Sequence, residues 1–349
     1  MTTQLPPRKS GRATISDVAA LAGVSPGAVS KVFNGNGRIS EATSTRIREA
    51  ARTLNWTPNP AAIALRTARA QAIGLVLNSS SETPDVGAAS VGLISGIESV
   101  LAPREYGLLL NVFMVGSHDE TTFYRNLAER QRMDGVILTS SLIDDTRFDL
   151  MREVGLPAVL VGTPWKPGVV EYIDADPPNA GIPESVKHLV DLGHRRIAYI
   201  GGPSAFVLPN IRRSAVEDTL AALGITPLAV ISTEYSPDAA AVETRKLLDL
   251  DAPPTAIMYG TDTMAIAGMR TAQSRGLRVP EDLSVVGYEG LQVGEWVDPQ
   301  LTTVQRFAVQ RGRAAAAKLI RLLGEEVTDE PLEKPVLVVR ASTGPAPRV

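Results

Sequence analysis

From residue 72 onward the chain repeats one alternation: a run of apolar residues, then a stretch whose apolar positions recur every three or four. The runs of the first set are AIGLVL (72–77), GLLLNVF (107–113), GVILTS (135–140) and PAVLVG (157–162). Amphipathic stretches near 87–102, 119–131 and 144–153 lie between them and predict helices. A proline- and glycine-rich stretch at 163–168 precedes a second set, with RIAYIGG (196–202), AVISTE (229–234), TAIMYG (255–260) and LSVVGYE (283–289). Its helices are expected near 178–192, 212–223, 237–248 and 262–275. Strands that are apolar along their whole length are buried on both faces, which predicts parallel sheets covered by helices. Each set has the size of one doubly wound lobe. LTTVQR (301–306), a helix over 307–323 and PVLVVR (335–340) then return to both lobes. The expected body is residues 71–349, with an N-lobe of about 71–170 plus 304–330 and a C-lobe of about 171–303 plus 331–343. Ligands of such sheets gather at the carboxyl ends of the strands. That rule selects Asn78, Ser79, Ser140, Asp174, Thr261, Asp262 and Glu289 as candidate ligand contacts.

Ahead of residue 71 the period is helical throughout. Thr14 and Asp17 form a capping-box start, and Ile15, Val18, Ala19 and Ala22 give one apolar face. Gly23 supplies a turn, Ser25 caps a second helix and Pro26 opens it. Val29, Val32 and Phe33 are expected to face inward, and Ser40 caps a third helix that contributes Ile47 and Leu54. Two short helices joined by a glycine turn, with a third as support, make a helix-turn-helix over 14–57. After it, Asn59 can cap and Pro60 open a brief helix through Leu65. A helix that short is marginal in water and is expected to form only against a supporting surface. Residues 58–70 are thus read as a hinge helix and linker, and residues 1–13 as a basic disordered tail.

Charge separates the two parts. Residues 1–70 carry ten lysines and arginines against three acids, a net +7 that leaves −10 on the rest of a chain whose net charge is −3. A basic head on an acidic body points to a polyanion partner for the head alone. The chain has no cysteine, which excludes disulfides and thiolate metal sites, and its three histidines lack metal-ligand spacing. No apolar run approaches a membrane span, and no apolar stretch follows the basic N-terminus. A soluble cytoplasmic protein without a cofactor is expected. Neither phosphate-cradling glycine motif occurs, nor a nucleophile with a placed base, which weighs against an enzyme on a doubly wound core. A plain solute-binding protein of the same fold would need an export signal and no basic head.

TISDVAALAGVSPGAVSKVFNGNGRIS followed by NWTPNPAAIALRTARAQAIGLVL resembles the head and hinge of the lactose/purine-repressor (LacI/GalR) family of bacterial transcription factors. The match is nearly gap-free over 14–77, and weaker motifs extend it to about residue 343. The resemblance implies an all-α helix-turn-helix head and an α/β bilobed, periplasmic-binding-protein-like body of two doubly wound parallel sheets. It implies a transcription regulator, a repressor, that binds a near-palindromic operator in double-stranded DNA as a homodimer. Paired hinge helices would lie in the minor groove, with Leu65 wedged into the central base step and Asn59 as hinge cap. Family positions that select bases hold Pro26 and Gly27 here, and neither side chain can hydrogen-bond a base. Base or groove contact therefore falls to Ala28, Lys31 and Arg38. Ser16, Ser25, Ser30 and Asn34 match positions that hold phosphates.

In the body, IRRSAVEDTL resembles a family helix start whose arginine grips ligand oxygens, which assigns that role to Arg212. Spacing alone would leave Arg212 a solvated helix-terminal arginine. Two departures mark the pocket. The family's A-N-D is Gly260-Thr261-Asp262 here, and its G-Y-D-D is Gly287-Tyr288-Glu289-Gly290. A small polar effector in the cleft between the lobes is expected, a sugar or sugar derivative first, a nucleobase or another polar metabolite otherwise. His194 is read as structural, and the helices near 87–102 and 307–323 as the dimer face.

Overall fold

The computed structural model describes residues 13–33, 39–57, 69–79, 88–114, 119–174, 177–328 and 331–347. The chain forms two compact units, Met1–Arg69 and Ala70–Val349.

The first unit holds α1 (Ile15–Ala22), α2 (Pro26–Phe33) and α3 (Glu41–Thr53). Each start is fixed by the residue types expected there. The Asp17 N–H donates to Thr14 Oγ1 at 3.4 Å, and Asp17 Oδ2 accepts from the Thr14 N–H at 2.8 Å. Ser25 Oγ accepts from the Ala28 N–H at 3.2 Å, and Ser40 Oγ from the Thr43 N–H at 3.3 Å. Gly23 closes α1 at φ 65°, the left-handed conformation that a residue with a Cβ resists. Val18, Ala19, Ala22, Val29, Ile47, Ala50 and Ala51 make one core, with Val32 and Leu54 packed on it. Phe33 departs from expectation. It is 37% exposed, and its ring meets Trp56 edge-on at 5.2 Å. One helical step beyond Val32 turns its side chain off the core face, where an aromatic edge-to-face contact holds it. The hinge positions Asn59 to Leu65 lie outside the described residues.

In the second unit, a five-stranded sheet is built from β1 (Ala72–Ser79), β2 (Gly107–Met114), β3 (Gly135–Thr139), β4 (Ala158–Val161) and β5 (Glu171–Ile173). Its order is β2-β1-β3-β4-β5, all parallel. One face, with Ile73, Leu75 and Leu77, packs on α4 (Ala88–Leu101) and α11 (Ala308–Leu322). The other, with Val76, Val136 and Leu138, packs on α5 (Asp119–Glu129) and α6 (Arg147–Glu153). The six-stranded sheet holds β6 (Ile197–Gly201), β7 (Ala229–Ser232), β8 (Ala256–Tyr259), β9 (Ser284–Glu289), β10 (Thr302–Gln305) and β11 (Val336–Val338), in the order β11-β10-β9-β8-β6-β7. α7 (Ile182–Asp191) and α8 (Val207–Ala222) cover one face, and α9 (Pro237–Leu248) and α10 (Asp262–Ser274) the other.

Three details differ from the sequence reading. β5 pairs with β4, so the first sheet runs past residue 170. β10 lies wholly in the second sheet, where Gln305 pairs with Glu289; residues 304 and 305 therefore belong to the C-lobe, and the N-lobe segment begins with α11. β11 is antiparallel to β10, with Val336 opposite Gln305. The chain leaves β10 at its carboxyl end, passes through α11 on the other lobe and re-enters at that same end, so β11 must run back. His194 is fully buried, with one ring nitrogen 3.0 Å from Thr255 Oγ1 and the other 3.0 Å from Ser284 Oγ and Gly344 O. It ties two strand starts to the C-terminal segment.

Candidate functional site

The carboxyl ends of both sheets face one cleft of about 980 Å³. Thr139, Ser140 and Val161 line it from the five-stranded sheet, and Thr261, Glu289, Gln305 and Arg306 from the six-stranded one. α8 adds Leu208, Pro209 and Arg212, and the start of α11 adds Ala308 to Arg311.

Arg212 is only 4% exposed. Its helix starts at Val207, earlier than the expected 212, because proline at position 209 falls in the first turn, where its missing N–H costs nothing. Arg212 therefore lies in the second turn and reaches inward. Its guanidinium lies over the Tyr288 ring at 4.1 Å, and Nη1 donates to Gly260 O at 3.5 Å. Arg306, half-buried directly after β10, places its guanidinium 5.6 Å from the same ring. The Nε atoms of both arginines are buried without a hydrogen-bond partner among the described residues. Burial, then the like charges of Arg311 and Arg212, pull the Arg306 pKa down to about 10.

Glu289 ends β9 with φ 130° and lines the cleft beside these cations. Burial first, and then the negative charge of Asp262, push its carboxyl up to about 7 against the pull of Arg306 and Arg212. Asp262 itself is not on the cleft wall. It is fully buried, with Oδ2 accepting from the Leu291 N–H at 2.6 Å and Oδ1 accepting from the Thr303 hydroxyl. Burial raises its pKa, and these hydrogen bonds oppose the shift. The expectation that Asp262 touches a ligand is thus corrected. Both its oxygens are committed to holding the 290–291 turn, which keeps Glu289 in place. Gly287 is glycine because a Cβ there would come within 2.2 Å of Asp262 Oδ1.

Thr261 does line the cleft, but its hydroxyl caps α10, accepting from the Met264 N–H at 3.2 Å and lying 3.1 Å from Thr263 Oγ1. Ser140 sits in the left-handed region, φ 53°, and its carbonyl accepts from Arg147 Nη2 at 3.0 Å. Arg147 is buried and paired to Asp145 at 2.6 Å and Glu120 at 3.5 Å, so an ion-pair network fixes this strand end. Asp174 pairs with Arg311 at 2.9 Å, a bond from the first sheet's last strand to α11. The backbone of Asn78 and Ser79 continues β1, and their side chains lie outside the described residues. Arg306 was missed in the sequence. The strand-end rule could have found it, since it follows the last residue of a strand, but it is hidden in a segment read only as a return between lobes.

In the head, Ser16, Ser25 and Lys31 are exposed, as are Pro26 and Gly27. Ser30 is half-buried. Ala28 is half-buried too and packs against the head's core, which limits what its methyl can offer a groove. Asn34, Arg38, Asn59 and Leu65 lie outside the described residues.

Residues 14–59 match the lacI family of bacterial regulatory proteins, and residues 186–343 a periplasmic binding protein-like domain. The transcriptional regulator CelR of Thermobifida fusca is 33% identical over 335 residues, covering 94% of this chain and 96% of the relative. Catabolite control protein A of Priestia megaterium is 28% identical, over 90% of this chain and 94% of its own. Among solved structures, the Lac repressor dimer bound to operator and the anti-inducer ONPF aligns with a TM-score of 0.84 at 27% identity, covering 96% of this chain and all of that one. A CelR–cellobiose complex aligns at 0.69 and 32% identity, over 95% of this chain and all of its own.

Proposed function

The chain belongs to the lacI family of bacterial regulatory proteins, and we propose that occupancy of its interlobe cleft sets how tightly its head holds operator DNA. The observation that carries this reading is one chain joining a helix-turn-helix unit to a cleft at the strand ends, walled by the buried Arg212 and the half-buried Arg306. The protein acts as a repressor in the cytoplasm, and no helix among the described residues is long and apolar enough to cross a membrane. It binds its ligand without turnover. Residues 14–57 form the DNA-binding domain, 58–70 the hinge and 71–349 the effector-binding and dimerisation domain.

Two copies are required. The hinge segments, too short to stay helical singly, support each other in the minor groove, which makes the working unit a dimer on a near-palindromic site. Leu65 wedges the central step, and α4 with α11 supplies the dimer face. In the major groove Lys31 and Arg38 read bases while Ser16, Ser25, Ser30, Asn34 and Asn59 set register on phosphates. Because the first turn of α2 presents Pro26 and Gly27, deformability at the central step carries much of the specificity. In the cleft, Arg212, Ser140 and Glu289 contact a sugar or sugar derivative, with Thr261 at the wall. Ligand that closes the cleft moves one lobe against its counterpart in the dimer and biases hinge folding. The structure of CelR with cellobiose supports the ligand class.

Selection of bound DNA from a random pool, with and without a panel of sugars, tests the reading. It should enrich a near-palindrome, and one or more sugars should change the enrichment. Failure to enrich any sequence would overturn it.

A further inference from the structure

Two of the three fully buried arginines among the described residues of the lobes are neutralised. Arg147 has Asp145 and Glu120, and Arg311 has Asp174. The third, Arg212, is not, and beside it stands the half-buried Arg306. Neither forms an ion pair among the described residues, both leave a buried Nε unpartnered, and both line the cleft with their guanidiniums 4.1 and 5.6 Å from the centre of one aromatic ring. A cation taken out of water without a counter-charge is strongly disfavoured, so such groups imply a partner that arrives from outside. The acids on the same wall do not fill that role. Glu234 and Asp238 are exposed. Glu289 is the acid beside the two guanidiniums, and even fully ionised it balances only one of their two charges. The inner cleft keeps a net positive charge.

We propose that this cleft selects a sugar-sized ligand carrying an oxyanion, a carboxylate or a phosphate, which seats between Arg212 and Arg306 at the Tyr288 ring. A neutral sugar could accept hydrogen bonds from these guanidiniums but would leave two charges uncompensated. The oxygens of a carboxylate or phosphate accept charge-assisted N–H bonds from both guanidiniums, paired ones where a fork meets the anion's edge, and supply the missing charge. The ring of Tyr288 fixes the Arg212 guanidinium plane before ligand arrives, which lowers the ordering cost of binding. This inference rests on the cleft being the effector site and narrows what that effector is.

Calorimetry and thermal melting of the full-length protein, at constant ionic strength, provide the test. The probes are inorganic phosphate, D-galacturonate, D-glucose 6-phosphate, D-galactose and cellobiose. Saturable binding is expected for at least one of the three anions, at least tenfold tighter than for either neutral sugar; galacturonate and glucose 6-phosphate separate carboxylate from phosphate. Arg306→Gln should weaken that anion at least tenfold and galactose by a much smaller factor. Arg306 is half-buried, so this variant carries the test if Arg212→Gln fails to fold. Neutral sugars binding as tightly as the anions, equal losses for both classes in Arg306→Gln, or no saturable response to any anion would each overturn the proposal. Tight binding of cellobiose alone would sink the oxyanion and leave the cleft as effector site. A bound anion that leaves operator affinity unchanged would instead sink the regulatory reading and leave this one standing.

Discussion

Glu289 stands where two cations and a second carboxyl act on it in opposite senses. Its pKa of about 7, against an ordinary 4.5, means the folded protein keeps a proton that the unfolded chain releases between those values. The folded state then binds more protons, so this residue's contribution to stability falls as pH rises through that window. Urea unfolding near pH 5 and near pH 8 should show a smaller loss on raising the pH for Glu289→Gln than for the unaltered chain; equal losses would refute the assignment. In the head, Lys31 is the exposed cation of α2. Lys31→Ala should lower operator affinity and relax base preference at one position in each half-site, as read by competition binding. Unchanged preference would make Lys31 a phosphate contact. Single residues were the least legible part of the sequence. Asp262 and Glu289 both stand at strand ends, yet one is a buried brace and the other a cleft wall, and only the 290–291 turn decides which. Arg212 read by spacing as a helix terminus because the start of α8 was misplaced by one proline.

Elements were more legible, because their signals are local and periodic. The caps of α1 and α3 and the runs of β1, β3, β6 and β9 stand where they were expected. β5 escaped notice because it is a short edge strand with its first two residues exposed, so it lacks an apolar run. The helices α4 and α11 were grouped on one face from the sequence, but how closely they meet was not legible, for a different reason. It depends on glycines meeting backbone across sequence-distant helices: a Cβ on Gly312 would come within 2.2 Å of Leu93 O, and one on Gly96 within 2.0 Å of Val309 O. Gly312→Ala must therefore push the helices apart, at a cost of about 1–3 kcal/mol by overpacking. Chemical denaturation should register that loss. An unchanged midpoint would show that the helices part without strain.

At the scale of the whole molecule, charge is divided before structure is considered, with +7 on residues 1–70 and −10 on the remainder. Association driven by the head releases counterions from DNA, so operator affinity should fall steeply and linearly on a log scale as salt rises. A flat response in a salt titration would remove the electrostatic account. The bilobed body was legible from alternation alone, whereas its crossings were not: Gln305 and Val336 face each other across an antiparallel pair that no local pattern announces. What joins the scales is the claim that the cleft governs the head. The measurement that tests it most directly is the affinity for the selected operator, with and without saturating cleft ligand, in the unaltered protein and in Arg212→Gln. Coupling of roughly 1–3 kcal/mol predicts a change of about 5- to 150-fold in the unaltered protein and none in the variant. An affinity that the ligand leaves unchanged, or changes equally in both proteins, would contradict it.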